Sequence, residues 1–475
     1  MLDGSVAAEV VEEGVVDTRP VLVVIGGGFA GLLACRKMHK EFQVVLVDAK
    51  EYFEYYPGIA RAYVHPKEHR KLARHYQPIC DNLGVDFLWG ETTHVDIKKK
   101  SVCIKTMDRK EMIEKAYSYL LVTAGSQYGI SLVHQKRASH GSECLWYPTF
   151  LDENIQRSAW SGLDERFLAG RRNHLEQEYR VLVDLNRRKG CIVVIGAGFV
   201  GVEFATEVKH YFPHIEVVIV ESRDCCIGVM PKSCIDYCQK YMERHGIKTI
   251  YGEKYTKFLK ADEEPIHSSA DLTKENVGAT LDKLPEMAKE WGVPEPDRIY
   301  MAVGLRAINQ FLPECCRSPV KGTRGGWIRT NLQQQVLCDG EPMPDVFAAG
   351  NCCEHEELTL PKNSFPAEDM ASVACHNIRV THALKGGKTS GGCFGFLCRP
   401  KTFRKTRWDW GTGLCATSLG PHDAAFVAGS GAEAGSGYTV LRGYPSALQK
   451  EFIRWSKVNQ INNGCIGTLV WSLIH

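Results

Sequence analysis

The pattern of apolar and polar positions is most regular between residues 21 and 48. Five apolar residues, Val21 to Ile25, run directly into glycines, which is typical of a buried parallel strand that ends in a turn. A segment rich in Ala and Leu, from Ala30 to Lys40, has helical composition, and a second apolar strand runs from Gln43 to Val47. The order strand, turn, helix, strand predicts a β-α-β unit of a parallel sheet.

The turn of this unit has the spacing Gly-x-Gly-x-x-Gly, at Gly26, Gly28 and Gly31. The first glycine permits a tight turn, the second lets a pyrophosphate approach the backbone, and the third lets helix and strand pack closely. The helix N-terminus faces the phosphates, and Asp48 at the end of the second strand accepts hydrogen bonds from ribose hydroxyls. The stretch therefore predicts a dinucleotide site, and a solvated strand-end acid is the structural alternative for Asp48.

The same pattern returns between residues 191 and 221, where Cys191 to Ile195 form the apolar strand. The second glycine turn consists of Gly196, Gly198 and Gly201. Two copies of one complex pattern predict two bound dinucleotides. Glu221 ends the second unit and favours NADH, because its carboxylate binds the ribose 2′-OH and repels the additional phosphate of NADPH. Arg223 partly offsets that repulsion, so NADPH stays an alternative.

The chain has 475 residues, which predicts two or three domains. A formal charge of +2 gives no reason to expect a nucleic-acid partner. The sequence contains no run of 18 apolar residues, so no transmembrane helix is predicted. Residues 1 to 18 are acidic, unlike a mitochondrial transit peptide, and are expected to form a disordered tail.

Nineteen cysteines occur, yet no Cys-x-x-Cys pair does. Adjacent pairs at Cys225/Cys226, Cys315/Cys316 and Cys352/Cys353 suit neither a zinc site nor a disulfide framework. We therefore expect reduced intracellular thiols, many of them buried, and no metal site.

Two further turns resemble the glycine-containing turns of flavoproteins with two dinucleotide domains, namely 122 to 126 (VTAGS) and 347 to 351 (FAAGN). Within that group, residues 198 to 203 (GFVGVE) resemble the type II NADH dehydrogenases and the apoptosis-inducing-factor-like ferroptosis suppressor branch. The branch is favoured by Asp48-x-Lys50 with Arg61, by Pro361-Lys362, and by residues 418 to 423 (SLGPHD).

The resemblance implies an α/β fold of the glutathione-reductase type, with two Rossmann-like dinucleotide-binding domains and a C-terminal region. FAD would bind in a discontinuous first domain formed by residues 19–129 and 318–386. NAD(H) would bind in residues 130–317, which carry insertions at 130 to 189 and 261 to 296. A change of composition from about Gly387 marks residues 387–475 as a separate C-terminal region, which we expect to serve the membrane or the acceptor.

The same resemblance implies roles for individual residues. Gly26, Gly28, Gly31 and Asp48 would hold the FAD adenosine and pyrophosphate, while Arg61 and the backbone near Thr92 flank the cofactor. Asn351 would face the ribityl chain, and Glu203 would lie where nicotinamide meets flavin, as the catalytic residue. An internally paired helix acid is the structural alternative for Glu203. The other residues assigned to cofactor binding are Phe29, Ala30, Lys50, Ala124, Gly125, Gly304 and Gly350.

Two departures from the family pattern affect the functional prediction. Asn351 stands where the family usually has Asp, and the uncharged amide is expected to cost on the order of 1 kcal/mol in ribityl binding. The Ala-Gln and Gln-Gln quinone motif of type II NADH dehydrogenases is absent, since residues 365 to 370 read FPAEDM. A quinone acceptor is thus implied by the branch alone.

The predicted function is an FAD-containing NADH oxidoreductase that passes hydride to the flavin and electrons to a quinone or related acceptor. One alternative is a flavoprotein subunit or redox sensor that acts through protein contacts, with weak or lost turnover. Another is a disulfide or peroxide reductase, which the lack of a cysteine pair near residue 52 disfavours.

The end of the chain suggests where the acceptor enters. Phe394, Phe396 and Leu397 precede basic residues, and apolar residues 466 to 474 are too few to span a bilayer. We expect peripheral attachment to a membrane, with Trp455 and Trp471 at headgroup depth. The competing interpretation is that these segments only cover the flavin domain. A mitochondrial or cytoplasmic location, and a homodimer or larger assembly, stay open.

Overall fold

The structure is a computed structural model that describes residues 17–128, 142–144, 164–254, 284–303, 305–319, 326–386, 402–407, 414–429 and 438–473. Most of the predicted tail, the predicted cofactor residue Gly304, much of both predicted insertions, and Phe394, Phe396 and Leu397 lie outside these ranges.

Strands in the described residues form two large parallel-containing sheets and three small antiparallel ones. In chain order they are β1 Val21–Ile25, β2 Gln43–Asp48, β3 Tyr52–Glu54, β4 Ala73–His75, β5 Asp86–Asp96, β6 Ser101–Thr106, β7 Met112–Ala116, β8 Tyr119–Val122, β9 Ser126–Tyr128, β10 Ser142–Cys144, β11 Cys191–Ile195, β12 Glu216–Glu221, β13 Ile247–Tyr251, β14 Arg298–Met301, β15 Leu305–Ala307, β16 Ile328–Thr330, β17 Gln335–Cys338, β18 Glu341–Ala348, β19 Cys353–His355, β20 Leu414–Ser418, β21 Ala424–Gly429 and β22 Tyr438–Arg442.

Helices cover the sheets and connect their parallel strands. Those of the described residues are α1 Phe29–Met38, α2 Ile59–Val64, α3 His69–Leu72, α4 Tyr76–Leu83, α5 Leu168–Arg188, α6 Phe199–Tyr211, α7 Lys232–Arg244, α8 Leu284–Glu290, α9 Ser364–Leu384, α10 Tyr444–Ile461 and α11 Cys465–Ser472. None of them combines the length and the apolar character that crossing a membrane requires.

The first large sheet has the order β19-β16-β17-β18-β8-β1-β2-β5-β6-β7. Its centre is parallel, with Val24 opposite Leu46 on one side and Leu121 on the other. The strands of this centre are almost wholly buried, which explains their unbroken runs of apolar residues. The sheet combines strands from both ends of residues 21–355, so the chain leaves this fold and returns to it.

The second large sheet has the order β10-β14-β11-β12-β13, and its strand pairs are parallel. It lies within the part of the chain that separates β8 from β16. A glycine turn and a helix lie between β1 and β2 in the first sheet and between β11 and β12 in the second, as the sequence patterns predict. The predicted α/β fold class with two Rossmann-like units is therefore confirmed.

The C-terminal residues form an antiparallel sheet of β20, β21 and β22, followed by the packed pair α10 and α11. The sheet contacts α6 and α7 of the second unit, while Arg36 of α1 donates to the Gln460 carbonyl at the end of α10. The C-terminal region therefore bridges the two dinucleotide-binding units.

Folding overturns one expectation about the cysteines. Cys315 and Cys338 form a disulfide, although they are 23 residues apart in the sequence. A short 3-10 turn at Glu314–Cys316 places Cys315 beside the end of β17, with Cα atoms 4.7 Å apart. The expectation of uniformly reduced thiols was wrong, because spacing along the chain does not show this contact. Most of the free cysteines in the described residues are buried, as expected.

Candidate active site

The two glycine turns have the same local construction. Gly26 and Gly196 both have positive φ, 100° and 106°, and backbone lies where a Cβ would project. Gly31 and Gly201 pack against the carbonyl oxygens of Gly26 and Gly196, leaving no room for a side chain. In each turn the sequence motif therefore determines a close helix-to-strand contact.

The carboxylates that end β2 and β12, Asp48 and Glu221, occupy the same position relative to their glycine turns. Asp48 accepts from the Gly27 amide at 2.6 Å, and Glu221 accepts from the Ala197 amide at 2.8 Å. The remaining oxygen of Asp48 accepts from the Lys50 amide. Each acid is thus held beside its own glycine turn by backbone hydrogen bonds.

A cavity of about 780 Å³ lies where the first unit, the second unit and the C-terminal region meet, and we call it the central cavity. Of the residues that the sequence predicts to bind cofactor or to catalyse, those lining it are Gly26, Gly28, Phe29, Ala30, Asp48, Lys50, Thr92, Ala124, Gly125, Gly198, Glu203, Gly350 and Asn351.

The cavity wall offers features that fit a bound dinucleotide. A Cβ added at Gly28, Gly125 or Gly198 would meet nothing within 4 Å, so their backbones border open space. Thr92 Oγ1 is buried and has no hydrogen-bond partner among the residues described. Exposed backbone and a hydroxyl group are the groups that bind a pyrophosphate and its sugars.

Arg61 does not line the central cavity, contrary to its expected place beside the cofactor. Its guanidinium donates to Glu207 Oε1 at 2.8 and 3.0 Å, and to Glu451 Oε1 at 2.8 Å. Arg61 thus joins α2, α6 and α10, and its positive charge is paired with the carboxylates of Glu207 and Glu451. Burial raises the pKa of Glu207 despite the opposing effect of Arg61.

Glu203 lies on the cavity wall and is bound by the C-terminal region. Its Oε1 accepts from the Ser418 amide at 2.9 Å and forms an ion pair with Lys450 of α10. Lys450 also lines the cavity and donates to Ser418 Oγ. The charged groups of Glu203 and Lys450 are therefore held where the second glycine turn meets the C-terminal region.

A second buried ion pair joins Lys457 of α10 to Glu368 of α9. The exposed fractions are only 3% for Lys457 and 2% for Glu368, and both residues line the cavity. Burial lowers the pKa of Lys457, although Glu368 opposes the change. The ammonium lies 4.1 Å from the centre of the Trp471 ring, whose indole N–H donates to Ser456.

Sequence reasoning missed Lys450 and Lys457. They stand seven residues apart, with Ile453 between them, so a helix places all three on one face. That spacing was available in the sequence. What was not available is the identity of their partners, which lie far away in the chain.

The remaining predicted residues support the site or lie elsewhere. Gly31, Gly196 and Gly201 shape the turns without lining the cavity, and Glu221 lies outside its wall. Trp471 is only 6% exposed, so its predicted place at headgroup depth is wrong. The indole instead covers the cavity, because it packs against the buried Lys457.

Comparison with known proteins agrees with this construction. Residues 20–371 match the family model described as pyridine nucleotide-disulphide oxidoreductase. The chain is 24% identical over 361 residues to ferroptosis suppressor protein 1 of Xenopus laevis, covering 75% of this chain and 80% of that protein. It is also 24% identical over 349 residues to the external alternative NADH-ubiquinone oxidoreductase of Yarrowia lipolytica, covering 65% and 54% of the two chains.

Among solved structures, the fold is similar to that of NDH2 from Plasmodium falciparum in complex with NADH. The TM-score is 0.60 at 11% sequence identity, and the match covers 95% of this chain and 97% of that one. At this identity the likeness shows the fold, which is that of the two-domain flavin and nicotinamide-nucleotide oxidoreductases.

Proposed function

The chain belongs to the pyridine nucleotide-disulphide oxidoreductase family, and on that premise we propose that it oxidises NADH with FAD and reduces a quinone-type acceptor. The observation that carries the proposal is the central cavity, which is lined by both glycine turns and by the C-terminal helices. A single space bordered by three regions allows a donor, a cofactor and an acceptor to meet.

The first glycine turn would hold FAD, with Gly28 against the pyrophosphate and Asp48 at the adenosine ribose. FAD, when bound, supplies the acceptance of hydride from the nicotinamide and the onward transfer of electrons. The second turn would hold NADH, with Glu221 at its ribose diol. The chain's own contribution is to bring two rings into close, fixed geometry and to exclude water.

The polar residues of the cavity wall suit this reaction. Lys362, Lys450 and Lys457 each border the cavity, and burial lowers the pKa values of Lys362 and Lys457. Ammonium groups in a water-poor site stabilise negative charge that develops during reduction. Glu203 orients Lys450 at the predicted meeting point of nicotinamide and flavin.

A quinone-type acceptor is supported by the oxidoreductase of Yarrowia lipolytica, whose name includes ubiquinone. The cavity wall on the C-terminal side also contributes apolar surface, from Phe426, Ile453 and Trp471. Such a wall suits a flat, weakly polar ring.

An anaerobic titration of the purified protein with NADH tests this proposal. We expect the visible flavin absorbance to bleach stoichiometrically and to return when a quinone is added. Colourless but folded protein would refute FAD binding. Bleaching that no quinone reverses would refute the acceptor class and leave the NADH half-reaction standing.

We also propose that α10 and α11 attach the protein to a membrane surface. Four exposed side chains follow one stripe of α10, two lie on α11 and one directly follows α11: Tyr444, Leu448, Phe452, Trp455, Ile466, Leu469 and Leu473. The opposite faces of these helices line the central cavity through Ile453, Lys457 and Trp471. An acceptor dissolved in lipid would thereby reach the flavin edge.

Point substitutions test attachment better than truncation, since removing residues from Glu451 onward would delete part of the cavity wall. The variant Phe452→Ser/Leu469→Ser changes side chains that are 52% and 63% exposed, and Leu384→Ser, at 69%, is the matched control on α9. We expect the double variant alone to lose sedimentation with anionic liposomes and to slow with long-tailed quinones. Equal rates with long-tailed and short quinones would contradict a membrane role.

A further inference from the structure

Three sulfur atoms meet at the end of strand β17 of the first sheet, and none of their cysteines lines the central cavity. Those of Cys315, Cys316 and Cys338 all lie within 4.8 Å of one another. Cys315 and Cys338 are joined as a disulfide, and Cys316 Sγ lies 3.8 Å from Cys315 Sγ. Cys316 is fully buried, while Cys315 and Cys338 are half-buried.

The backbone around the three sulfurs is held on both sides. The turn Glu314–Cys316 is closed by hydrogen bonds from the Cys316 amide to the Pro313 carbonyl and from the Arg317 amide to the Glu314 carbonyl. Cys338 ends β17, directly before a two-residue hairpin turn in which Asp339 and Gly340 have φ of 52° and 90°. The Asp339 amide donates to the Cys315 carbonyl at 3.3 Å.

These separations match what a tetrahedral thiolate site needs. A zinc ion bound at about 2.3 Å from each sulfur holds its sulfurs roughly 3.8 Å apart. The Cys315–Cys316 separation already has that value, and opening the disulfide frees Cys338 to take the third position. The Asp339 carboxylate, 4.0 Å from Cys338 Sγ, is an oxygen placed for the fourth position.

The charge around the site is also suitable. A divalent cation bound by three thiolates and one carboxylate forms a complex with a net negative charge. Arg317 follows Cys316 directly, and its Nε is buried without a hydrogen-bond partner among the described residues. A guanidinium beside the thiolates compensates that charge.

We propose that Cys315, Cys316 and Cys338 form a redox-gated zinc site, closed by the disulfide and opened by reduction. A phosphine reductant, with one water, converts the disulfide to two thiols and becomes the phosphine oxide. Zinc then binds the three sulfurs and releases their protons to solvent. The sequence predicts no metal site, because it contains no Cys-x-x-Cys pair, and the third ligand arrives only through the fold.

Equilibrium dialysis of the full-length protein against zinc chloride, with metal analysis, tests the site. We expect one zinc per chain after reduction and removal of the phosphine under argon, and none at this site in the oxidised protein. Equal zinc content in the two states would overturn the proposal. No turnover is measured, so the result is independent of the proposed oxidoreductase activity.

Cys316→Ser gives the sharpest variant, because Cys316 is not part of the disulfide and the oxidised fold keeps its cross-link. We expect zinc affinity of the reduced variant to fall at least about 10- to 100-fold, the loss seen when even an outer-sphere partner is removed. Cys103→Ser and Cys465→Ser, at free and accessible thiols, are the controls and should bind zinc like the wild type. Unchanged binding by Cys316→Ser would leave a simple disulfide and refute the site.

Discussion

The two dinucleotide-binding units have the same turn but different helices behind it. In α1 the buried residues beyond the turn are apolar, including Leu33, and α1 packs against α9 within its own unit. In α6 the position equivalent to Leu33 is Glu203, followed by buried Thr206 and Glu207. This helix faces α2 and the C-terminal sheet.

The difference shows how one local motif serves two purposes. A helix that faces its own core carries aliphatic side chains, because unpaired buried charges are costly. A helix that faces two other regions can carry acids, because those regions supply Lys450 and Arg61 as partners. The candidate catalytic acid therefore belongs to the second unit's helix, whereas α1 borders the cavity only at its first turn and packs the rest of its buried side chains in its own unit.

The largest expected difference in cofactor binding between the units concerns the packing glycines. Gly31→Ala and Gly201→Ala push a Cβ into the same kind of carbonyl oxygen, with a strain of about 1–3 kcal/mol. We expect Gly31→Ala to lose FAD, as measured by the flavin-to-protein absorbance ratio. Gly201→Ala should keep FAD, resist bleaching by NADH and still bleach with dithionite. Gly228→Ala, whose Cβ would meet only side-chain ends, is the control. Loss of FAD from both glycine variants would contradict separate sites.

The acid of the second helix gives the next prediction. Lys450→Met leaves the buried Glu203 without its ion-pair partner and should lower the free energy of unfolding by about 3–5 kcal/mol. Glu203→Leu/Lys450→Met copies the apolar character of position 33 and should recover most of that loss. Urea midpoints measure stability, and steady-state assays with NADH and quinone should show low turnover in both variants. A double variant no more stable than the single one would show that the acid is not the source of the penalty.

Acid should affect the stability of the two units in opposite directions, through His355 in the first and Glu207 in the second. Burial lowers the pKa of His355, on β19 of the first sheet, to about 4. Its Nε2 lies 3.2 Å from the Gln334 side-chain nitrogen, which is a donor. The unfolded chain binds a proton at His355 near pH 6.5, so stability is lost as pH falls from about 6.5 to 4, by about 3 kcal/mol.

Glu207, in the second unit, acts in the other direction, because burial raises its pKa. Its contribution is complete below the ordinary carboxyl pKa and is lost as pH rises through the raised value. Urea midpoints against pH should therefore flatten between pH 6.5 and 4 in His355→Gln. Glu207→Gln should keep the loss that acid causes through His355. A His355→Gln profile parallel to wild type would exclude His355 as the source.

A smaller change in cofactor binding, a shift of preference rather than the loss of a cofactor, is expected at the two strand-end carboxylates. If Glu221 binds the ribose diol, Glu221→Ala should weaken NADH by about 1.5–3 kcal/mol and relatively favour NADPH. Asp48→Ala removes the matching acid of the first unit and should weaken FAD while leaving the NADH-to-NADPH preference unchanged. Initial rates with both nicotinamides, at saturating FAD, measure the preference. A preference that shifts equally in both variants would assign neither acid to the nicotinamide.

Much of the fold follows from the sequence alone. Two apolar runs, each followed by a glycine turn and a helix, predict both parallel units. This works because the backbone geometry at Gly26 and Gly196 depends on residues that are close to them in the sequence. Asp48 and Glu221 are equally predictable, since each ends a strand of the same unit and hydrogen-bonds its own turn. The motifs also indicate the family.

The tertiary structure decided which distant side chains meet. Lys450 pairs with Glu203 across 247 residues, and Arg61 binds Glu207 across 146, so no local pattern contains either contact. Cys338 reaches the Cys315–Cys316 pair only because the end of β17 and the 3-10 turn at Glu314–Cys316 lie side by side in the fold. Trp471 is buried because α11 folds back on α10. Local sequence determines backbone form, whereas the partners of a buried charge or thiol depend on how whole regions pack.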